Sequence, residues 1–164
     1  MTTEQLARQS IDRLLGLAGW KVMDTRDADI HAARGVALRE FPLPGHGFAD
    51  YLLYVDNKAA GVIEAKKAGV TLTGVETQSA KYTKGLPPGL PAWAHPLPFS
   101  YQSTGVETHF TNGLDPEPRD WNTHTPHHIL AVARLCRQRL AQQGDALRSL
   151  AQQAQYRDQQ VIQH

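Results

Sequence analysis

Two apolar runs separated by a short polar break, FADYLLYVD (48–56) and AGVIEAKK (60–67), constrain this chain more than any other feature. They read as two strands, with Asn57-Lys58 as the turn that makes them an antiparallel hairpin. Strands this apolar head into a core, yet both carry charge. Asp50 is embedded among Phe48, Ala49, Tyr51, Leu52 and Leu53. A carboxylate there is costly unless something positive compensates it. Glu64 and Lys66 end the second run, and period-2 alternation points both to one face and Ala65 to the other. A turn at Asn57-Lys58 brings Asp50 near that end, so two carboxylates and an ammonium converge on one spot.

The remaining sequence supplies a sheet and helices around the hairpin. TTEQLARQSIDRLLGLAG places Leu6, Ile11, Leu14, Leu15 and Ala18 near one helical stripe, with Thr2 or Thr3 as cap and Gly19 as stop, predicting a helix over 3–18. Residues 24–34 are polar and read as a loop with a helical turn. VALREF (36–41) reads as a strand closed by Pro42, Pro44 and Gly45. VETQSAKYTKG (75–85) has helical character, and the Pro-rich 87–98 is a loop or an extended cover. FSYQST (99–104) and THFTNG (108–113) are strands around a Gly105 turn. Residues 114–126 are irregular, and helices follow Pro126. The expected fold class is α/β: a central mixed sheet flanked by helices.

At 164 residues, with 41% hydrophobic and 20% charged, the chain suits one globular domain with a real core. A formal charge of +1 gives no global basic field, so a nucleic-acid partner would have to be met by a local patch. Lys66, Lys67, Lys81 and Lys84 are candidates for such a face, a solvated surface being the alternative. The single cysteine, Cys136, excludes an internal disulfide and fits a reducing cytosol; its place is on the apolar stripe of a helix. There is no apolar leader and no stretch approaching a membrane span, so a cytoplasmic location is expected.

Two carboxylates beside a lysine suit phosphodiester hydrolysis. Hard oxygens from Asp50 and Glu64 can hold Mg²⁺, which keeps several waters and accepts phosphate oxygens as further ligands. Lys66 can orient or deprotonate the attacking water, or neutralise the phosphate. A plain salt bridge accounts for the same three residues. In the following helix Gln78 and Tyr82 stand i, i+4 on one face, either aimed at the site or as a surface Gln beside a half-buried Tyr.

FADYLLYVD…GVIEAKK followed by QSAKY resembles the PD-(D/E)xK nucleases, in the subgroup with a downstream Q-x-x-x-Y motif. EQLARQSIDRLLGLAGWKV and FSYQSTGVETHFTNGLDPEPR resemble the restriction (R) subunit of type I restriction–modification enzymes, so that the resemblance spans about residues 4–121. It implies a restriction-endonuclease-like core. It also implies Asp50 and Glu64 as metal ligands, Lys66 as the catalytic lysine, and Gln78 and Tyr82 as the Q-x-x-x-Y pair. Some relatives add an acidic residue from the first helix. Glu4 is the candidate here, against the alternative that it favours the helix N-terminus through the dipole. Ala49 stands where the motif's Pro would be, a residue the chemistry does not require.

The resemblance further implies Mg²⁺ as cofactor with Mn²⁺ as substitute, double-stranded DNA as substrate, and modification and specificity subunits as partners, with no membrane. ATP would act only through motor domains, and no G-x-x-x-x-G-K-[ST] occurs in this chain. The expected division is a nuclease domain over 1–122 and a helical segment over 123–164 that starts a linker towards a translocase. His124, His127 and His128 lack a cysteine or carboxylate to complete a metal set and read as exposed or capping residues. The glycines of LPGHGFAD read equally as a turn or as room for a phosphate. Two rivals to Mg²⁺-dependent, sequence-nonspecific cleavage stay open: a non-cleaving DNA-binding or assembly module, and a repair or recombination nuclease of the same superfamily.

Overall fold

The computed structural model describes residues 2–72, 85–113 and 120–123. Its frame is a seven-stranded mixed sheet whose spatial order is the chain order: β1 (Lys21–Asp24), β2 (Gly35–Leu43), β3 (Gly47–Val55), β4 (Lys58–Ala65), β5 (Phe99–Ser103), β6 (Thr108–Asn112) and β7 (Asp120–Thr123). The β1–β2 and β4–β5 pairs are parallel and the other four antiparallel. The α/β expectation and the mixed sheet stand.

Helix α1 (Thr3–Leu17) packs on one face. Thr2 and Gln5 cap it reciprocally, each side chain accepting the other's backbone N–H, so two of the end donors are satisfied. The chain leaves the helix through Gly19 at φ 83, a left-handed position glycine adopts without strain. Ala7, Ile11, Leu14, Leu15 and Ala18 form the buried stripe. Leu6, expected in that stripe, is 50% exposed. It lies a hundred degrees around the helix from Ala7, which takes the inward place.

Both sheet faces are covered, which explains why the central strands read as unbroken apolar runs. On one of them Ile11 and Leu15 of α1 pack against Tyr51, Leu53, Val55, Ile63, Phe99, Tyr101 and Phe110 of the sheet. On the opposite face Val36, Leu38, Leu52, Tyr54 and Val62 meet Leu86 and, from the Pro-rich segment read as a loop or an extended cover, Leu90 and Leu97. That cover is strapped to the hairpin: Ala59 and Ala92 form a bridge, and Trp93 Nε1 donates to the Val55 carbonyl at 2.8 Å.

Several boundaries differ from the sequence expectation. The hairpin turn is Asp56-Asn57, at φ 49 and 65, and Lys58 already belongs to β4. Two consecutive left-handed residues match the twist of the flanking strands, as in the two-residue turns hairpins favour. Strand β2 runs through Pro42 to Leu43. Its partner β1 pairs only as far as Arg39, so Pro42 sits where β2 is paired on one side and a missing N–H is tolerated. Strands β1 and β7 were not expected, while a 3₁₀ turn, Thr25–Asp27, falls in the segment read as a loop with a helical turn. The helix expected over 75–85, the helices after Pro126 and the proposed boundary at residues 122–123 concern segments wholly or largely outside the described residues.

Candidate functional site: a carboxylate cleft at the end of β3 and β4

The hairpin ladder ends at the pair Tyr51↔Ile63, and the next step in that register is Asp50 opposite Glu64. There the backbone pairing gives way to a side chain, with Asp50 Oδ2 accepting the Ala65 N–H at 2.8 Å. Immediately beyond, Lys66 N donates to the Ser103 carbonyl at 2.8 Å, which ties the end of β4 to β5. Lys66 Nζ lies 2.5 Å from Glu64 Oε1. These contacts fix the three residues relative to one another through backbone already held by the sheet.

A kink in the neighbouring strand aims Asp50. Along β2, Ala37 packs towards α1 and Arg39 bonds Asp12 of α1, whereas Phe41 and Leu43 pack on the opposite face. On β3, Tyr51 and Leu53 face α1 while Ala49 faces away. The alternation therefore skips at Glu40 and Asp50, which lie across from each other between the pairs Arg39↔Tyr51 and Phe41↔Ala49. Glu40 carries the irregular step, at φ 50 in a non-glycine residue, a conformation that costs free energy and clusters at functional sites. Both carboxylates consequently address α1.

What they meet there is Arg8. Its Nη2 lies 2.5 Å from Asp50 Oδ1 and 3.4 Å from Glu4 Oε1, and its Nη1 donates to Glu40 Oε1 at 2.9 Å. The helix is held in this register by a second network: Arg39 donates to both oxygens of Asp12 and to Asp24, and the Tyr51 hydroxyl donates to Asp12 Oδ1 at 2.8 Å. Burial, with Asp12 adding to it, pushes the Tyr51 hydroxyl far above the ordinary phenol range, so it remains a donor.

Asp50 forms a wall between two clefts. One, of about 410 Å³, is lined by Glu4, Phe48, Asp50, Glu64, Ala65, Lys66, Lys67 and Val70. The other, of about 370 Å³, is lined by Arg8, Glu40, Phe48, Ala49 and Asp50. Burial raises the Asp50 carboxyl above its ordinary value; the Ala65 N–H and the Arg8 charge pull it back without cancelling the shift, and Glu4 adds to it. Glu64 Oε2 is buried with no hydrogen-bond partner among the described residues. An orphaned carboxylate oxygen is an acceptor waiting for a donor or a cation.

Among the described residues no three His, Cys, Asp or Glu side chains come together as a self-sufficient metal cage. A hydrated Mg²⁺ does not require one, because it binds through one or two carboxylates and keeps its waters. Asp50 and Glu64 supply hard oxygens to one cleft, the Glu64 oxygen is unsatisfied, and Glu4 lines the same cavity. The donor set fits that ion.

Asp50, Glu64, Lys66 and Glu4, the residues singled out in the sequence, thus line one cleft. Gln78, Tyr82, Lys81, Lys84, His124, His127, His128 and Cys136 lie outside the described residues. Arg8 and Glu40 escaped the sequence reading. The only trace of Arg8 was its i, i+4 spacing from Glu4, and nothing marked Glu40.

A model of the family described as "Type I restriction enzyme EcoKI endonuclease subunit second domain" matches residues 8–105, more than half of the chain and inclusive of Asp50, Glu64, Lys66, Gln78 and Tyr82. No curated protein and no solved structure matches at significance. No helix among the described residues is long and apolar enough to cross a membrane.

Proposed function

The chain belongs to the family of the type I restriction enzyme EcoKI endonuclease subunit second domain, and from that premise we propose that it carries a PD-(D/E)xK nuclease site for Mg²⁺-dependent, sequence-nonspecific cleavage of double-stranded DNA. The observation that carries the reading is the convergence of Asp50, Glu64 and Lys66 on one cleft, with the Glu64 Oε2 acceptor buried and unsatisfied.

Asp50 and Glu64 would hold the ion, with Glu4 as a third carboxylate. When bound, the ion supplies a water of lowered pKa and positive charge against the charge that builds on the phosphate. The chain's own residues do the rest. Lys66, 2.5 Å from Glu64 Oε1, would orient the attacking water or offset charge on the phosphate. The Ala65 N–H fixes Asp50 Oδ2, so the carboxylate is oriented before any ligand arrives. Gln78 and Tyr82 would complete the site. Sequence recognition and ATP-driven motion would belong to other parts of a type I complex in the cytoplasm, including its modification and specificity subunits.

The test is Mn²⁺ binding followed by electron paramagnetic resonance with a short duplex present, alongside cleavage by the assembled complex. Asp50→Asn and Glu64→Gln should abolish both. Lys66→Met should retain Mn²⁺ and lose about a hundredfold or more in cleavage. Normal cutting by any of the three would refute the nuclease reading. Intact assembly and DNA binding, with no Mn²⁺ bound even by wild type, would point instead to the non-cleaving module.

A further inference from the structure

From the second cleft, Arg8 engages carboxylates of the first as a metal ion would. One guanidinium touches Glu4, Glu40 and Asp50, and Nη2 approaches two residues read above as ion ligands. A guanidinium within 2.5 Å of Asp50 Oδ1 and a divalent ion on the same carboxylate repel each other. The side chain is also imperfectly satisfied: Arg8 Nε is buried with no acceptor among the described residues. Its alternative anchorage already exists. Glu40 is 69% exposed at its side chain, lines the second cleft with Arg8, and accepts Nη1 there without involving Asp50.

We propose that Arg8 is a built-in counter-ion which competes with the divalent ion for Asp50 and Glu4, and that Glu40 receives it when it withdraws. This rests on the nuclease reading, because it takes Asp50 as a ligand. Arg8 is then a positioning residue. It keeps Asp50, Glu4 and Glu40 together in the metal-free protein, at the expense of ion affinity.

The experiment measures the Mn²⁺ dissociation constant of the whole 164-residue chain by paramagnetic resonance, with melting curves reporting folding. Arg8→Met and Arg8→Gln, two neutral replacements of which the second keeps a donor, should each tighten Mn²⁺ about tenfold, the scale of one charge-assisted contact. Lys67→Met is the control for charge alone: it removes a cation from the cleft of Asp50 and Glu64 that forms no ion pair with Asp50, and should tighten binding no more than about twofold. Glu40→Gln should weaken binding, and more so with Arg8 present than in the Arg8→Met background.

Unchanged or weaker binding in folded Arg8→Met and Arg8→Gln, while Asp50→Asn abolishes it, overturns the counter-ion proposal and leaves the nuclease reading standing. Equal tightening by Lys67→Met overturns it too, since net charge would then be the whole effect. Binding by Asp50→Asn as strong as wild type, or no binding by any protein, removes both.

Discussion

Burial and ion pairing pull the Asp50 carboxyl in opposite directions. Its ordinary value is 3.8, and burial raises it in the folded protein despite donors from Ala65 and Arg8. A carboxyl raised in this way keeps its proton to higher pH when folded than when unfolded. The stability it contributes is therefore complete below 3.8 and is lost as pH climbs through the raised value. Asp50→Asn cannot ionise and escapes that loss. In metal-free protein the melting temperature of the variant minus that of wild type should grow as pH is taken from below 3.8 to neutrality, and Mg²⁺ should narrow the gap by favouring the wild-type carboxylate. Thermal melts across pH decide it, and a difference independent of pH would show that Asp50 is not titrating against its burial. At this scale the sequence was informative where the neighbours are local. Asp50, Glu64 and Lys66 belong to one hairpin, and alternation plus a turn brings them together. Arg8 and Glu40 were illegible because their roles depend on where α1 docks and on a left-handed backbone at a glutamate, which no residue preference signals.

Strands and helix are joined at a few close approaches. Gly61 of β4 pairs with Phe99 of the parallel strand β5, and a Cβ at that position would lie 2.4 Å from the Phe99 carbonyl oxygen and 2.8 Å from its Cβ. Neither is the movable end of a side chain, so the sheet itself would have to spread. Gly61→Ala should cost about 1–3 kcal/mol, seen as a lower denaturant midpoint at unchanged slope. An unaltered midpoint would mean that β4 and β5 separate more easily than their packing implies. The elements differ in legibility for similar reasons. Strands β3 and β4, buried on both faces, announce themselves as apolar runs, and α1 by its stripe and cap. Strands β1 and β7 have four residues each, KVMD and DWNT, at the two edges of the sheet. An edge strand needs neither length nor alternation, so its sequence resembles a loop.

For the whole molecule, a formal charge of +1 leaves DNA affinity to local groups. Lys67 lines the cleft beside Lys66, whose ion pair with Glu64 would yield to phosphate once the proposed ion takes that carboxylate, while Arg8 is engaged by three carboxylates. Binding of a short duplex to the chain alone should therefore weaken with salt at a log–log slope of about −2, corresponding to about two phosphate contacts. Fluorescence anisotropy across salt concentrations measures it; a slope steeper than about −4 would require a phosphate-binding face beyond the cleft. Charge of this kind is legible from sequence as a sum, whereas its placement had to await the fold.

The sheet's order has a consequence in time. Because each strand lies beside the one made just before it, from β1 to β7, the sheet can grow at a single advancing edge as the chain emerges from the ribosome, at about 5–20 residues per second. Helix α1 precedes every strand, so the Arg8 guanidinium is already present when β2 and β3 deliver Glu40 and Asp50. Glu40 and Asp50 thus join the sheet after the residue that pairs with them has been made. Glu64 brings its own cation two residues later, in Lys66, and the backbone N–H of Lys66 waits for the Ser103 carbonyl of β5.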